Sequence, residues 1–360
     1  MPERRAMEAI KIGIIRWDAY FKTGESYSFV TDQVARALSP AKYHDRVPFF
    51  ASIRPDGRVE FPEYTQQIWE KETDYAVDAG FDYYAYCWYR TDDPLSSARR
   101  FHTASKNPGR IKMAAILGVT KEDEQTIADL FACMKQDYYL KLADGTPVVF
   151  GYGETGSGMG PERADEIRAA AEKAGIPRLY IVKMATFVYN TEWRTKFTGG
   201  SYDAVSFYGL SVNQADTPYK KLADKAEFRN RYMAYCYKYN DTGLPLIPTF
   251  TAGRDQRPRI DNPTTWAHDY KGYSLKPEKD ELGAHVYRVL CFAREYADSC
   301  PTGLCHGYAW NEHDEGAGIC PTVEVDENGQ PLRDGEGNVR INTRQLKEIK
   351  RYIQKFKQEC

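Results

Sequence analysis

Eight short runs rich in β-branched and aromatic residues punctuate this chain, at 11–17, 81–88, 111–118, 146–152, 178–184, 203–207, 244–250 and 304–310. Amphipathic stretches with helical spacing fill most of the gaps, at 63–79, 122–142, 162–174, 219–239 and 279–297. Gly80, Gly175 and Gly243 stand just past helix ends, where a left-handed cap is wanted. Strands that alternate with helices imply right-handed crossovers and a parallel sheet. Eight such units point to an α/β fold, a single closed (β/α)8 TIM barrel with extended βα loops, spanning residues 1–360.

Two pieces lie outside the repeat. An apolar segment at 47–51 belongs to the long first βα connection. Residues 322–342 are polar and carry Asn328-Gly329 and Asp334-Gly335, turn signals that predict a small C-terminal hairpin. The closing helix at 343–357 then places Ile349, Ile353 and Phe356 on one face, against the barrel wall.

Composition narrows the partners. Forty-nine basic and 51 acidic residues leave a net charge of -2, which provides no broad positive field for nucleic acid or an anionic membrane surface. The longest apolar run, at 113–119, falls far short of the ~20 residues that span a bilayer. The eight cysteines are dispersed, unlike a disulfide framework. No apolar stretch of signal-peptide type follows the charged start, so the expectation is a cytoplasmic protein, or a periplasmic or secreted one if a leader has been removed. Twenty-seven tyrosines provide flat apolar faces with polar tips, suited to packing or to amphipathic ligands such as sugars.

Barrel chemistry sits where the strands end. Reading past each run gives Trp17-Asp18-Ala19-Tyr20, Trp88-Tyr89-Arg90-Thr91-Asp92-Asp93, Gly153-Glu154, Arg254-Asp255 and Asn311-Glu312-His313-Asp314-Glu315. Aromatic rings and carboxylates therefore gather at one rim. Rings that stack on sugar faces, with a carboxyl pair that handles protons, make up a sugar-cleaving site.

The stretch from Tyr308 to Pro321, Tyr-Ala-Trp-Asn-Glu-His-Asp-Glu-Gly-Ala-Gly-Ile-Cys-Pro, resembles the closing-strand motif N-x-W-N-E-W-x-E-G-x-x-x-x-P of glycoside hydrolase family 99 and the related WbsX-like barrels. Residues 79–89, from Ala79-Gly80-Phe81-Asp82 to Trp88-Tyr89, are similar to that group's second strand, and 248–259 to its seventh-strand segment. The resemblance implies a barrel with a carbohydrate site. It does not bring the family's acid/base segment: where family 99 has His-x-Glu-Pro-Tyr and the WbsX-like proteins have Trp-Ala-Asn-Glu, residues 113–120 carry no carboxylate. His313 also replaces the tryptophan of Asn-Glu-Trp.

Glu312 is accordingly the first catalytic candidate, with Glu154, Asp18 or Asp255 as its carboxyl partner. Trp17, Trp88 and Tyr89 are candidate stacking platforms. Trp310 shares strand parity with His306 and Tyr308, so it is expected as pocket floor or as core. Arg90 and Arg254 are placed either to grip an anionic sugar or to pair with Asp92 and Asp255. Asn311, His313 and Glu315 complete the candidate substrate contacts. The sequence implies a glycosidase that acts on an oligo- or polysaccharide, or else a non-catalytic glycan-binding barrel or a glycan-assembly protein.

Neither a cofactor nor a metal is expected. Gly151-Tyr152-Gly153-Glu154-Thr155-Gly156 imitates a dinucleotide loop, but Pro161 starts the next helix too late for a phosphate cradle. Cys300, Cys305, His306 and His313 offer soft and imidazole ligands, yet Cys305 and His306 point to opposite faces of a strand. Oligomeric state is not legible.

Overall fold

The computed structural model describes residues 10–22, 28–153, 156, 158–185, 200–239, 244–266 and 272–359. Its centre is an eight-stranded parallel sheet. The strands are β1 (Lys11–Arg16), β2 (Tyr83–Cys87), β3 (Lys112–Leu117), β4 (Val148–Gly151), β5 (Tyr180–Ala185), β6 (Ala204–Phe207), β7 (Thr249–Thr251) and β8 (Leu304–Tyr308). They run β6-β5-β4-β3-β2-β1-β8-β7 around the sheet. The two edges meet where Val205 bridges Leu246, with Val205 N–H donating to Pro245 O at 2.8 Å and Ile247 N–H to Val205 O at 2.9 Å. Each run read from the sequence contains its strand or overlaps it. The fold is the expected (β/α)8 barrel.

The join between β6 and β7 is short for a chemical reason. Pro245 and Pro248 have no N–H to donate, so regular pairing in this run is confined to its last residues. The edge groups of Thr249 are satisfied from outside instead. The Asn230 side chain accepts from Thr249 N–H at 3.1 Å and donates to Thr249 O at 2.8 Å. An amide on a helix thus does the work of a neighbouring strand.

Helices α1 (Phe29–Leu38), α2 (Gln66–Ala79), α3 (Ser97–Ala104), α4 (Glu124–Met134), α5 (Pro161–Lys173), α6 (Tyr219–Tyr239), α7 (Arg257–Asp261), α8 (Glu281–Glu295) and α9 (Arg344–Gln358) surround the sheet. α2 shows how local sequence sets their ends. Thr65 caps its first turn by accepting from Ile68 N–H, and Gly80 closes it at φ 99°, a conformation that disfavours a Cβ. α9 buries Ile349, Ile353 and Phe356, as its spacing requires, and Glu348 accepts from Gly283 N–H on α8 at 2.7 Å.

Two elements differ from their sequence pattern. The helix expected at 122–142 stops at Met134, because 138–140 pairs with β3 instead: Met113 N–H donates to Tyr138 O at 2.9 Å and Leu140 N–H to Met113 O at 2.7 Å. The 322–342 segment is a hairpin, as expected, but a folded one. Thr322–Val323 pairs with Ile341–Asn342, and Leu332 from its middle bonds both Glu324 and Arg340. The 47–51 segment leads into a second small hairpin, Ser52–Ile53 against Val59–Glu60. Among the described residues, no helix is long and apolar enough to cross a membrane.

Candidate functional site

The rim at the carboxyl ends of the strands is organised by the segment after β8. Trp310 N–H donates to Ile15 O at 2.7 Å, which ties the segment to the end of β1. Asn311 then stitches the two strand ends with its side chain, accepting from Trp17 N–H at 2.8 Å and donating to Asp18 Oδ1 at 3.2 Å. A single 3-10 turn, His313–Glu315, follows and closes on Gly316 at φ 62°. A Cβ at Gly316 would approach Asp255 Cβ to 2.7 Å, so the turn requires glycine twice over. Three carboxylates, Glu312, Asp314 and Glu315, thereby sit within four residues, all 5% exposed or less.

Burying three carboxylates side by side is costly unless cations meet them. Arg259, on α7 and 3% exposed, does most of this. Its Nε donates to Asp314 Oδ2 at 2.6 Å, its Nη1 to Glu315, and its Nη2 to Asp314 Oδ1 at 3.1 Å and Glu312 Oε2 at 3.4 Å. Glu315 also takes Arg254, the Tyr308 hydroxyl and Gln256, the last at 3.0 Å. Asp314 is held from the far side by the Tyr20 hydroxyl at 2.8 Å.

Glu312 is the exception. Besides Arg259 it has the hydroxyl of Tyr208, and burial pushes its carboxyl up to about 7. Tyr208 stands just beyond β6, 3.3 Å from Cys87 Sγ at the end of β2, and packs between the rings of Tyr152 (4.8 Å) and Tyr308 (5.1 Å). Opposite lies a second aromatic group. Trp17 donates its indole N–H to the Tyr89 hydroxyl at 2.8 Å and meets Tyr20 and Trp266 edge-on at 6.1 and 6.0 Å. The guanidinium of Arg259 lies 5.4 Å from the Trp17 ring and 5.8 Å from that of Trp266. Trp266 is 38% exposed, a large apolar face left open to solvent at the rim.

No family model matches the chain, and no curated protein is similar to it in sequence. Solved structures are similar in fold. A glycoside hydrolase-like protein superposes with a TM-score of 0.60 at 14% identity, covering 99% of this chain and 96% of its own. The family 99 endo-α-mannosidase of Bacteroides thetaiotaomicron, in complex with bis-tris-propane, gives 0.59 at 11% identity over 98% and 99% of the two chains. A second structure of that enzyme gives 0.58 at 12% identity, with the same coverage. The fold is family 99-like.

Placed on this family 99-like barrel, the sequence candidates separate. Glu312, Asn311, Glu315, Trp17, Tyr89 and Arg254 meet at one rim, and Asp18 joins them through Asn311. Asp18 is otherwise committed to a buried network, accepting from Arg16 Nε at 2.7 Å, and burial lifts its carboxyl to about 6. Asp255 is clasped by Arg46 and Arg257 and held below the usual carboxylate range despite its burial, so it serves as an ionised anchor for α7. Glu154 lies outside the described residues. His313 is 2% exposed, meets Tyr20 edge-on at 5.0 Å and is kept neutral by burial, its imidazole lowered to about 3.

Three candidates are not brought into this rim cluster. Trp88 is fully buried beneath α3 and α4, with the Arg99 guanidinium 3.9 Å from its ring and its indole N–H toward Thr126 O at 3.5 Å. Trp310 is neither pocket floor nor aligned with His306. Its indole N–H donates to Glu72 Oε1 on α2 at 2.8 Å, whereas His306 faces Phe150 on β4, its ring 5.0 Å away across the barrel. The strand ends at Tyr308, so alternation no longer governs position 310. Arg90 is exposed and paired with Asp92 and Asp123 rather than free for an anionic sugar, while Arg254 is spent on Glu315 and Tyr308.

Sequence reasoning passed over Arg259, Tyr208 and Trp266. Arg259 lies in the run Arg254-Asp255-Gln256-Arg257-Pro258-Arg259, where nothing ranks one arginine above another. Tyr208 directly follows the sixth strand, and the rule that placed the other rim residues would have found it. Among the described residues, no group of three His, Cys, Asp or Glu is placed to hold a metal ion.

Proposed function

We propose that this barrel is a glycoside hydrolase that cleaves an oligo- or polysaccharide at Glu312. The observation that carries the proposal is the unequal treatment of three neighbouring carboxyls. Asp314 and Glu315 are saturated by hydrogen bonds, while Glu312, with one long contact to Arg259 and the Tyr208 hydroxyl, is lifted by burial to about 7. A carboxylic acid that keeps its proton near neutral pH is what the leaving oxygen of a glycosidic bond needs. Asp314 and Glu315 are its neighbouring carboxyls by connectivity, since one guanidinium binds all three. Their charge supports the positive charge that develops at the anomeric carbon as Glu312 gives its proton to the leaving oxygen, and the Glu312 carboxylate then takes a proton from the water that adds. Trp17, Trp266 and Tyr208 supply faces for the sugar rings.

The likeness to a glycoside hydrolase-like protein and to an endo-α-mannosidase supports the substrate class, not the linkage. The experiment is release of reducing ends from a broad glycan panel by the wild type and by Glu312→Gln. A second reading, a barrel that binds glycan without cleaving it, draws on one fact: Asp18, Asp255 and Glu315 are each committed to an arginine. Saturable binding without any released sugar selects that reading.

A further inference from the structure

Among the described residues, His44 is the histidine whose two ring nitrogens both face backbone carbonyl oxygens. It lies in the 3-10 turn Ala41–Arg46 and is wholly buried. Its Nδ1 is 2.7 Å from Gly329 O, and its Nε2 is 2.7 Å from Ser39 O and 2.9 Å from Gly57 O. The other described histidines each leave one nitrogen for the lone pair of a neutral ring. In His285 it accepts from Thr251 N–H at 3.2 Å, and in His102 it faces the Tyr86 hydroxyl at 3.2 Å. In His306 and His313 it has no partner.

A neutral imidazole has one N–H and one lone pair, whereas an imidazolium donates from both nitrogens. Either neutral tautomer of His44 would press its lone pair against a carbonyl oxygen at hydrogen-bond distance. A buried cation needs compensation, and dipoles provide it here. Ser39 is the C-cap of α1, so its carbonyl stands at the negative end of a ten-residue helix. The charged groups on the surrounding elements are paired elsewhere. On the same turn Lys42 meets Asp261, Asp45 meets Lys276 and Arg46 meets Asp255, while Arg36 of α1 meets Asp32. In the 52–60 hairpin Arg54 pairs with Glu60 and Arg58 with Asp56. In the 322–342 hairpin Glu324 pairs with Arg340, Asp326 accepts from Asn328 and Gln330 N–H, and Glu327 is exposed.

The ring joins three pieces remote in sequence: the end of α1, Gly57 at φ 85° and Gly329 at φ 76°. A Cβ at Gly329 would come within 2.6 Å of Ala41 O, so the 322–342 hairpin sits directly on the 41–46 turn. That turn in its own right seats the rim. Its Tyr43 donates to Asp261 of α7, the helix that carries Arg259, and its Arg46 clasps Asp255. We infer that His44 is a proton-operated latch: as an imidazolium it fastens the 322–342 hairpin and the end of α1 to the 41–46 turn, and on losing a proton it releases one of them. The latch holds at lower pH and loosens as pH rises, because only the protonated ring donates on both sides. The inference does not depend on the hydrolase reading.

The test has two arms on the full chain. In protein labelled with 15N-histidine, both ring nitrogens of His44 should carry a proton at pH 7, with the signal assigned by through-bond correlation from the backbone. Trypsin cleavage after Arg333, which is exposed in the 322–342 hairpin, should be about tenfold faster at pH 9 than at pH 7 after correction with a peptide of the same sequence. In His44→Gln it should be equally fast at both. Lys276, lowered by burial to about 8, also borders the base of this hairpin. Cleavage that keeps its pH dependence in His44→Gln therefore assigns the effect to Lys276 and overturns the latch. Should the variant fail to fold, the ring spectrum of the wild type decides alone. A ring nitrogen without a proton at pH 7, or a corrected wild-type rate that does not change with pH, also overturns the inference.

Discussion

The Arg259 guanidinium reaches Glu312 Oε2 only at 3.4 Å, while the same group takes Asp314 Oδ2 at 2.6 Å. Glu312 is thus the carboxyl that Arg259 holds least tightly, and burial lifts it to about 7. The other two are fixed acceptors that hold the turn and the arginine in place.

The pH dependence follows with a definite sign. Glu312 titrates near 7 in the folded chain against 4.5 for an unperturbed glutamate. The folded state therefore binds the extra proton between these values, and this group's contribution to stability falls as pH rises through that window. The cost above pH 7 is on the order of 3 kcal/mol. Glu312→Gln mimics the protonated form. It should raise the melting temperature at pH 8 and leave it nearly unchanged at pH 4; an equal shift at both values contradicts the assignment.

Removing Arg259 should cost more than removing any one of its partners. Arg259→Leu leaves Asp314 and Glu315 buried with their shared cation gone, a loss of about 3–5 kcal/mol in denaturant unfolding. Arg259→Lys should recover little of this, because one ammonium cannot replace a fork that reaches three carboxyls. Full recovery by lysine contradicts the clamp.

The tryptophans should divide by place rather than by type. Trp266→Ala, at an open rim position, should weaken glycan binding by about 1 kcal/mol with little change in stability. Trp310→Ala, wholly buried against α2, should destabilise by about 3–5 kcal/mol. Calorimetric binding and urea unfolding on the two variants check both halves.

Asp255→Asn should reduce stability at neutral pH, where the ionised aspartate meets Arg46 and Arg257. The loss should shrink on acidification, as protonation removes the wild type's advantage. A loss that is constant between pH 7 and pH 3 contradicts the ion-pair role.

The barrel was legible because its signal is periodic. Strand runs such as 304–310 and the amphipathic spacing of Ile349, Ile353 and Phe356 depend on near neighbours in the chain, and the sheet and α9 follow. What lies beyond the strand ends was less so. Strand parity put Trp310 on one side with His306 and Tyr308, as pocket floor or as core; pairing stops at Tyr308, and a buried acceptor on α2, Glu72, holds the indole in the core. Helices α1, α3 and α7 sit inside βα loops whose patterns are too short for periodicity to register. Arg259 acquires its role only when α7 folds back over the 312–315 segment, a contact set by tertiary structure and not by spacing.

The most direct measurement is reducing-sugar release from a broad panel of oligo- and polysaccharides, by wild type and Glu312→Gln side by side. The account predicts that wild type cleaves at least one member, and that the variant binds it as well yet turns it over about a hundredfold or more slowly. Unchanged turnover in Glu312→Gln, or binding of glycan by the wild type with no sugar released from any member, contradicts it.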